Sequence, residues 1–189
     1  MPVTDAAADL TIRPAAEADL PVISQLVNLS YRGDSSRVGW TTEADLLAGQ
    51  RTDVDSLAAE PGTLWVAVLT EDPSDLVGCF RTHVWGEGGE ADETATTGAG
   101  YIGMVTVRPF HQGAGYGAYL LGEAERILAE AGHDQAVMTV IDARADLIDW
   151  YIRHGYRLTD ERLPFPMDDP RFGIPLVDHL AFAVLVKDL

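Results

Sequence analysis

The chain has 189 residues, of which 13 are basic and 30 acidic, and its formal net charge at pH 7 is −17. Such an acidic surface repels nucleic acids and anionic membranes, so we expect neither as a partner. The length fits a single domain over residues 1–189. A domain of this size buries roughly 70% of the surface that its unfolded chain exposes, so no structural metal or disulfide is required.

Cysteine content and the N-terminal sequence bear on the compartment. Cys79 is the single cysteine and lies in an apolar run, where a buried thiol is expected and no internal disulfide can form. The N-terminal residues lack the basic and apolar regions of a signal peptide, and no apolar run approaches the ~20 residues that span a bilayer. We therefore expect a soluble, cytoplasmic protein.

The first half of the chain predicts a strand, helices and a hairpin. Alternating residues predict a strand at 10–13, and apolar residues at helical spacing predict a helix at 17–31. A second helix is expected over 42–49, resuming at 53–59. Two apolar strands, 63–69 and 76–84, flank a turn rich in Asp and Pro and predict a hairpin. The glycine-rich and acidic segment 86–100 is expected to be a mobile loop.

The second half alternates strands and helices. Strands are expected at 100–108, 136–141, 156–159 and 180–186, and helices at 114–131 and 143–154. Gly155 is placed to end the second of these helices in a left-handed conformation. The order β-α-α-β-β-β-α-β-α-β-β predicts an α+β fold with a mixed, mostly antiparallel sheet of about seven strands flanked by helices.

A turn with glycines at alternate positions lies between the strand at 100–108 and the helix that follows it. Gly113, Gly115 and Gly117 allow tight turning and close approach of a ligand to the main chain. Outward-facing amides at a helix N-terminus, together with the helix dipole, favour a phosphate group. The spacing fits neither the dinucleotide-binding fingerprint nor a Walker loop, which would need Gly-Lys-Ser or Gly-Lys-Thr. A diphosphate is therefore the expected ligand of this turn.

The motif around this turn resembles the acyl-CoA signature of the GNAT superfamily of N-acetyltransferases. The resemblance is most specific in the centre of the chain, at Val105-x-Val107-x-Pro109-x-x-Gln112-x-x-Gly115-x-Gly117. It extends more loosely to Ile12-Arg13-Pro14 and to Trp150-Tyr151-x-x-x-Gly155-Tyr156. The resemblance implies that acetyl-CoA is the cosubstrate and that no metal takes part.

The resemblance also assigns cofactor-binding roles. The main-chain amides expected to bind the CoA pyrophosphate belong to Gln112, Gly113, Ala114, Gly115, Tyr116 and Gly117. Main-chain groups of Val105 and Val107 are expected to pair with the pantetheine as an added strand. In the family this strand is splayed from the next one, here 136–141, which admits the cofactor.

Transfer of an acetyl group from a thioester to a primary amine needs a neutral amine, a stabilised thioester oxygen and a proton for the leaving thiolate. The resemblance implies direct transfer in a ternary complex, with Tyr151 donating that proton. A phenol is protonated at neutral pH and close to a thiolate in basicity. Alternatively, Tyr151 packs against Leu147, four residues earlier, without a chemical role. The sequence does not identify the general base, for which His83 is one candidate.

Two further regions have open interpretations. Arg144 either reaches the cofactor, in place of an Asn that many family members carry nearby, or is a solvated charge beside Asp142 as helix N-cap. Trp40 and Glu43 lie where the family places its acceptor pocket, and they could hold an amine by cation–π contact and ion pairing. Alternatively, Trp40 caps the core.

We expect a small-molecule amine as the acceptor. Two alternatives stay open: a catalytically inactive acyl-CoA-binding sensor or scaffold, and a protein N-terminal or lysine acetyltransferase. Because members of the family often dimerise, a homodimer also stays open.

Overall fold

The structure is a computed structural model that describes residues 9–39, 41–88, 98–169 and 172–189. The strands are β1 (Leu10–Pro14), β2 (Leu47–Ala48), β3 (Thr63–Leu69), β4 (Leu76–Val84), β5 (Gly100–Val107), β6 (Gln135–Ile141), β7 (Arg157–Pro164), β8 (Ile174–Pro175) and β9 (Ala181–Asp188). The helices are α1 (Leu20–Tyr31), α2 (Gly33–Ser36), α3 (Val54–Ala59), α4 (Tyr116–Glu130) and α5 (Ala145–Arg153), with 3₁₀ turns at Glu17–Asp19 and Pro109–His111. Among these described residues, no helix is both long and apolar enough to cross a membrane.

Seven strands form one sheet in the order β1-β3-β4-β5-β6-β9-β7. All neighbouring pairs are antiparallel except β5 and β6, which are parallel. A parallel pair needs a crossover, and α4 supplies it between β5 and β6. The predicted mixed, mostly antiparallel sheet of about seven strands flanked by helices is therefore confirmed.

Helices cover both faces of this sheet. On one face, α4 and α5 bury Leu120, Leu121 and Ile148 in a cluster with the central strands. On the other face, α1 and α3 pack on β3 and β4, with Ile23 and Leu57 in the core. The amphipathic spacing read from the sequence is thus used to bury one side of each helix.

The predicted helix over 42–49 is wrong. Residues 44–46 form turns, and the two-residue strand β2 follows and pairs antiparallel with β8. Leu47 is 1% exposed and packs with Ile141, Phe165 and Leu180, which come from distant parts of the chain. Burial against these residues overrides the local helical spacing, because helix propensity is only a weak preference.

Several other local predictions agree with the structure. Gly155 has a φ of 94°, so it ends α5 in the left-handed conformation as expected. The hairpin of β3 and β4 is present, and helix α3 resumes within the predicted range 53–59. Most of the predicted mobile loop at 86–100 lies outside the described residues, and so does Trp40.

The packing of α4 on the sheet depends on a glycine in β4. A Cβ placed on Gly78 would lie 2.6 Å from the carbonyl oxygen of Thr106 and 2.8 Å from the Leu120 side chain. The first atom belongs to the main chain of β5 and cannot move without disturbing the sheet. The absence of a side chain at Gly78 therefore sets the distance between β4, β5 and α4.

We predict that Gly78→Ala lowers the free energy of unfolding by about 1–3 kcal/mol, because an overpacked core must shift its backbone. Urea denaturation followed by circular dichroism measures this change. The matched control is Gly122→Ala, where a Cβ meets nothing within 4 Å in helix α4. That control should keep or raise the stability, by roughly 0.5–1 kcal/mol. Equal stabilities of the two variants would contradict the packing argument.

Candidate active site

The parallel strands β5 and β6 separate soon after they begin. Their pairing is limited to Gly100 with Ala136 and Tyr101 with Val137, although β5 continues to Val107 and β6 to Ile141. The splay that the family resemblance implied between these strands is present. The result is an opening in the middle of the sheet, with the main chain of β5 along one side.

A β-bulge distorts β5 beside this opening. The register against β4 shifts between Cys79 and Arg81, so that four residues of β5, 103–106, face three of β4. Met104 has a φ of 54°, the one positive value for a non-glycine residue in the described part of the chain. A bulge leaves one residue without a ladder partner, and positive φ in a residue with a side chain stores strain that is typical of functional sites.

Side chains already donate to several carbonyl oxygens of β5. Tyr31 Oη donates to Val105 O at 3.2 Å, and Thr106 Oγ1 donates to Met104 O at 2.9 Å. Gln112 Nε2 donates to Val107 O at 2.8 Å. The carbonyl oxygens of Val105 and Val107 thus already accept hydrogen bonds from side chains of the protein. Pairing of pantetheine with the main chain of these two residues stays a prediction.

The glycine turn carries main-chain amides with no acceptor. Gly113 and Gly115 are exposed and have φ values of 85° and 90°, which only glycine adopts without strain. Within the described residues, the amides of Gly113, Ala114, Gly115, Tyr116 and Gly117 donate no hydrogen bond. They stand at the N-terminus of the 15-residue helix α4, where the helix dipole adds positive potential. Their geometry fits a phosphate group.

Two residues of the predicted amide set have additional structural roles. The amide of Gln112 donates to Pro109 O at 3.3 Å, at the end of the 3₁₀ turn. The Tyr116 side chain is 7% exposed, and its hydroxyl donates to Asp9 at 3.4 Å. Tyr116 therefore offers only its main chain to a ligand. Contact of these residues with a pyrophosphate stays a prediction.

Tyr151 lies on helix α5, in the core cluster that α4 and α5 form with the central strands. Its side chain is 7% exposed, and within the described residues its hydroxyl makes no hydrogen bond. Burial raises the pKa of Tyr151, and Tyr31 and Tyr101 raise it further. The phenol is therefore protonated throughout the physiological range and can serve as a proton donor. Its ring packs edge-on against Trp150 and Tyr156, so that packing is part of its role in either interpretation.

Arg144 is buried at the start of α5. It is 7% exposed, donates to both carboxylate oxygens of Asp146 at 3.1 and 3.0 Å, and reaches Thr42 O at 2.7 Å. The interpretation as a solvated charge is therefore wrong. Asp142 is not the N-cap either, since its carboxylate accepts from the amide of Ala181 at 3.3 Å and α5 begins after Arg144. A role for Arg144 in holding the cofactor stays a prediction.

Glu43 lies beside the C-terminus of α1. Its amide donates to Tyr31 O at 2.8 Å, and its carboxylate forms an ion pair with Arg32. Arg32 is 5% exposed and also donates to Phe172 O at 3.1 Å. An acceptor amine would have to share the Glu43 carboxylate with this arginine. Binding of the acceptor by Glu43 stays a prediction, and Trp40 lies outside the described residues.

The structure adds contacts near the opening that the sequence did not predict. Tyr101 Oη hydrogen-bonds Thr139 Oγ1 at 2.9 Å, across the opening between β5 and β6. The His83 ring lies 4.6 Å from the Tyr101 ring, on the same face of the sheet. Arg51 lies over the ring of Tyr31, with its Cζ 5.8 Å from the ring centroid. These contacts join residues far apart in the chain, so no local sequence pattern predicts them.

Comparison with known proteins agrees with this geometry. The family model of the GNAT acetyltransferases matches residues 24–156. No curated protein matches significantly. A phosphinothricin acetyltransferase from Sinorhizobium meliloti, solved with AcCoA, has a TM-score of 0.64 at 17% identity, with 96% of this chain and 89% of that chain covered. A GNAT family acetyltransferase from Elizabethkingia anophelis, solved with acetyl-CoA, has a TM-score of 0.60 at 18% identity, covering 96% and 99%.

A third similar structure acts on a protein. It is the ribosomal-protein-S18-alanine N-acetyltransferase from Escherichia coli, with a TM-score of 0.62 at 14% identity, covering 95% of this chain and 93% of that chain. Identities this low establish a shared fold and no more. The family model, by contrast, covers more than half of the 189 residues. The chain therefore belongs to the GNAT family of acetyltransferases.

Proposed function

We propose that this protein transfers the acetyl group of acetyl-CoA to a primary amine of a small molecule, directly and within a ternary complex. The observation that carries the proposal is the run of acceptor-free amides from Gly113 to Gly117, at the edge of the opening between β5 and β6. Solved neighbours with acetyl-CoA bound support this cosubstrate. The phosphinothricin acetyltransferase among them supports a small-molecule acceptor.

The main-chain amides and the bulge bind and polarise the cosubstrate in this proposal. Gly113 to Gly117 hold the pyrophosphate, while the main chain of β5 runs beside the extended pantetheine. Acetyl-CoA supplies the thioester: the amine nitrogen forms a bond to the acetyl carbon, the carbon–sulfur bond breaks, and CoA leaves as a thiol. The irregular main chain at Met104 is the candidate donor to the oxygen on which negative charge develops.

Side chains account for the protons. Tyr151, kept neutral by burial, gives its proton to the departing sulfur. The attacking nitrogen loses a proton as the amide forms, and His83, beside Tyr101, is the candidate group to take it, directly or through water. No side chain becomes acylated, which fits Cys79: burial raises the pKa of this thiol to about 12, so it is not a nucleophile.

We predict that Gly115→Ala weakens binding of CoA at least tenfold. A Cβ at a φ of 90° costs about 1–2 kcal/mol and turns the amides away from the ligand. Isothermal titration calorimetry with CoA at low ionic strength measures the dissociation constant. The matched control is Gly132→Ala at the other end of α4, which also has positive φ, 92°, and open space around a Cβ. Equal affinities of the two variants would contradict the phosphate site.

We also predict that Tyr151→Phe lowers kcat about 100-fold or more, while the KM for acetyl-CoA changes little, because a general acid is lost and the ring is kept. Release of free CoA thiol with a panel of primary amines measures the rate. Tyr156→Phe is the control, since Tyr156 is also buried and packs against Tyr151. An unchanged kcat in Tyr151→Phe would leave Tyr151 with a packing role alone.

The same assays separate the two alternative functions. Calorimetric binding of acetyl-CoA without turnover of any small amine or peptide would favour the sensor or scaffold. Turnover of peptides with free N-termini or lysines, and not of small amines, would favour a protein acetyltransferase such as the Escherichia coli neighbour is named to be.

A further inference from the structure

The charges beside the opening do not follow the net charge of the protein. Arg144 is neutralised by the two hydrogen bonds that Asp146 accepts. Arg32 is paired with Glu43. Within the described residues, Arg51 forms no ion pair and its guanidinium donates no hydrogen bond. One cation beside the opening is therefore without a carboxylate partner of its own.

The main chain around Arg51 is held firmly on helix α1. The amide of Arg51 donates to Asn28 Oδ1 at 2.6 Å, and Asn28 Nδ2 donates to Thr52 O at 2.8 Å. The same Nδ2 donates to Ser24 O at 2.9 Å, within the helix. These hydrogen bonds fix the main chain of Arg51, so that only the rotamer of its side chain can vary. A guanidinium presented from a fixed main chain is well suited to binding, because little ordering is left to the moment of association.

The Arg51 guanidinium is linked to β5 through Tyr31. It lies over the face of Tyr31, whose hydroxyl donates to Val105 O in the bulge, so one phenol ring separates the guanidinium from β5. Tyr101, which bridges β5 and β6, is also an electrostatic neighbour of Arg51. Tyr31 and Tyr101 are in turn electrostatic neighbours of Tyr151. Tyr31 and Tyr101 are therefore close enough to both Arg51 and Tyr151 to influence their pKa values.

The local charge in this region is positive. Although burial opposes the charged form, Glu43 helps to raise the pKa of Arg51, and Arg32 keeps its ion pair with the same carboxylate. Burial raises the pKa of Tyr31 to about 12, so the phenol beneath Arg51 is neutral at physiological pH. Glu60, which also raises the pKa of Arg51, is ion-paired with Arg81, so each of these two carboxylates already has an arginine partner of its own. The Arg51 side chain is half-buried, so its unpaired donors remain accessible to a ligand.

We propose that Arg51 binds a carboxylate, or a similarly shaped small oxyanion, on the acceptor molecule, so that the preferred acceptor is an amino acid rather than a simple amine. This inference rests on the proposed function and names its substrate class. A planar guanidinium forms two parallel hydrogen bonds to a carboxylate, and the contact is strengthened where water is partly excluded. The anion would be held on the Arg51 side while the amine nitrogen faces the opening.

The test uses pairs of acceptors that differ in the carboxyl group alone. L-phenylalanine is compared with phenethylamine, and L-methionine with 3-(methylthio)propylamine, in the CoA-thiol release assay. The wild-type protein should prefer the amino acid of a pair by at least tenfold in kcat/KM. Arg51→Gln should raise the KM for the amino acid at least tenfold and leave the simple amine unchanged, whereas Arg51→Lys should restore part of the preference.

Controls keep this result distinct from misfolding and from failure of the proposed function. Arg157→Gln removes an exposed arginine on β7 and should change neither KM. Calorimetry of each amino acid with protein saturated with CoA measures acceptor binding without turnover. Binding that depends on Arg51 but gives no acetylation would keep the inference and refute the acetyltransferase proposal. Wild-type preference for the simple amines, equal losses on both members of a pair, or binding indifferent to Arg51→Gln would overturn the inference.

Discussion

The separation of β5 from β6 is the constraint on which the site depends. Only two residue pairs join these parallel strands before they diverge. A diverging strand loses ladder partners on one side, and its main-chain groups need other partners wherever water is excluded. Gln112 and Tyr31 supply donors to two carbonyls of β5, near its carboxyl end. The remaining edge of β5 suits an extended ligand that adds to the sheet as a strand.

The position of helix α4 relates this opening to the glycine turn. Helix α4 leaves β5 through the 3₁₀ turn and the glycines, and then returns across the sheet onto Gly78, where the missing side chain admits Leu120. The packing of α4 on the sheet therefore also fixes the position of the glycine-turn amides at the end of the opening. In a protein of net charge −17, these amides can still attract a diphosphate, because their partial charges act at contact distance while surface carboxylates are screened over roughly 10 Å.

The sequence predicted those parts of the site that depend on neighbouring residues. The strand, the alternating glycines and the amphipathic helix lie within residues 100–131, so their conformations could be inferred from local rules and from a family motif. The predicted helix at 42–49 failed because Leu47 is buried against residues about 90 to 130 positions away. The contacts of Arg51 and Tyr31 were not predicted for the same reason: they involve Asn28 and the bulge in β5, which no periodicity reveals.

The net charge of the protein does not determine the local charge at the acceptor site. The family resemblance placed Trp40 and Glu43 at the acceptor pocket, where Glu43 could pair with an amine. Because exposed charges farther apart than a Debye length are largely screened, an acceptor within the opening responds mainly to the groups that line it. There, Arg32 already neutralises Glu43, and Arg51 adds a cation over the neutral ring of Tyr31. We therefore infer that the acceptor is selected by the local charge that has no carboxylate partner among the described residues, and that charge is positive.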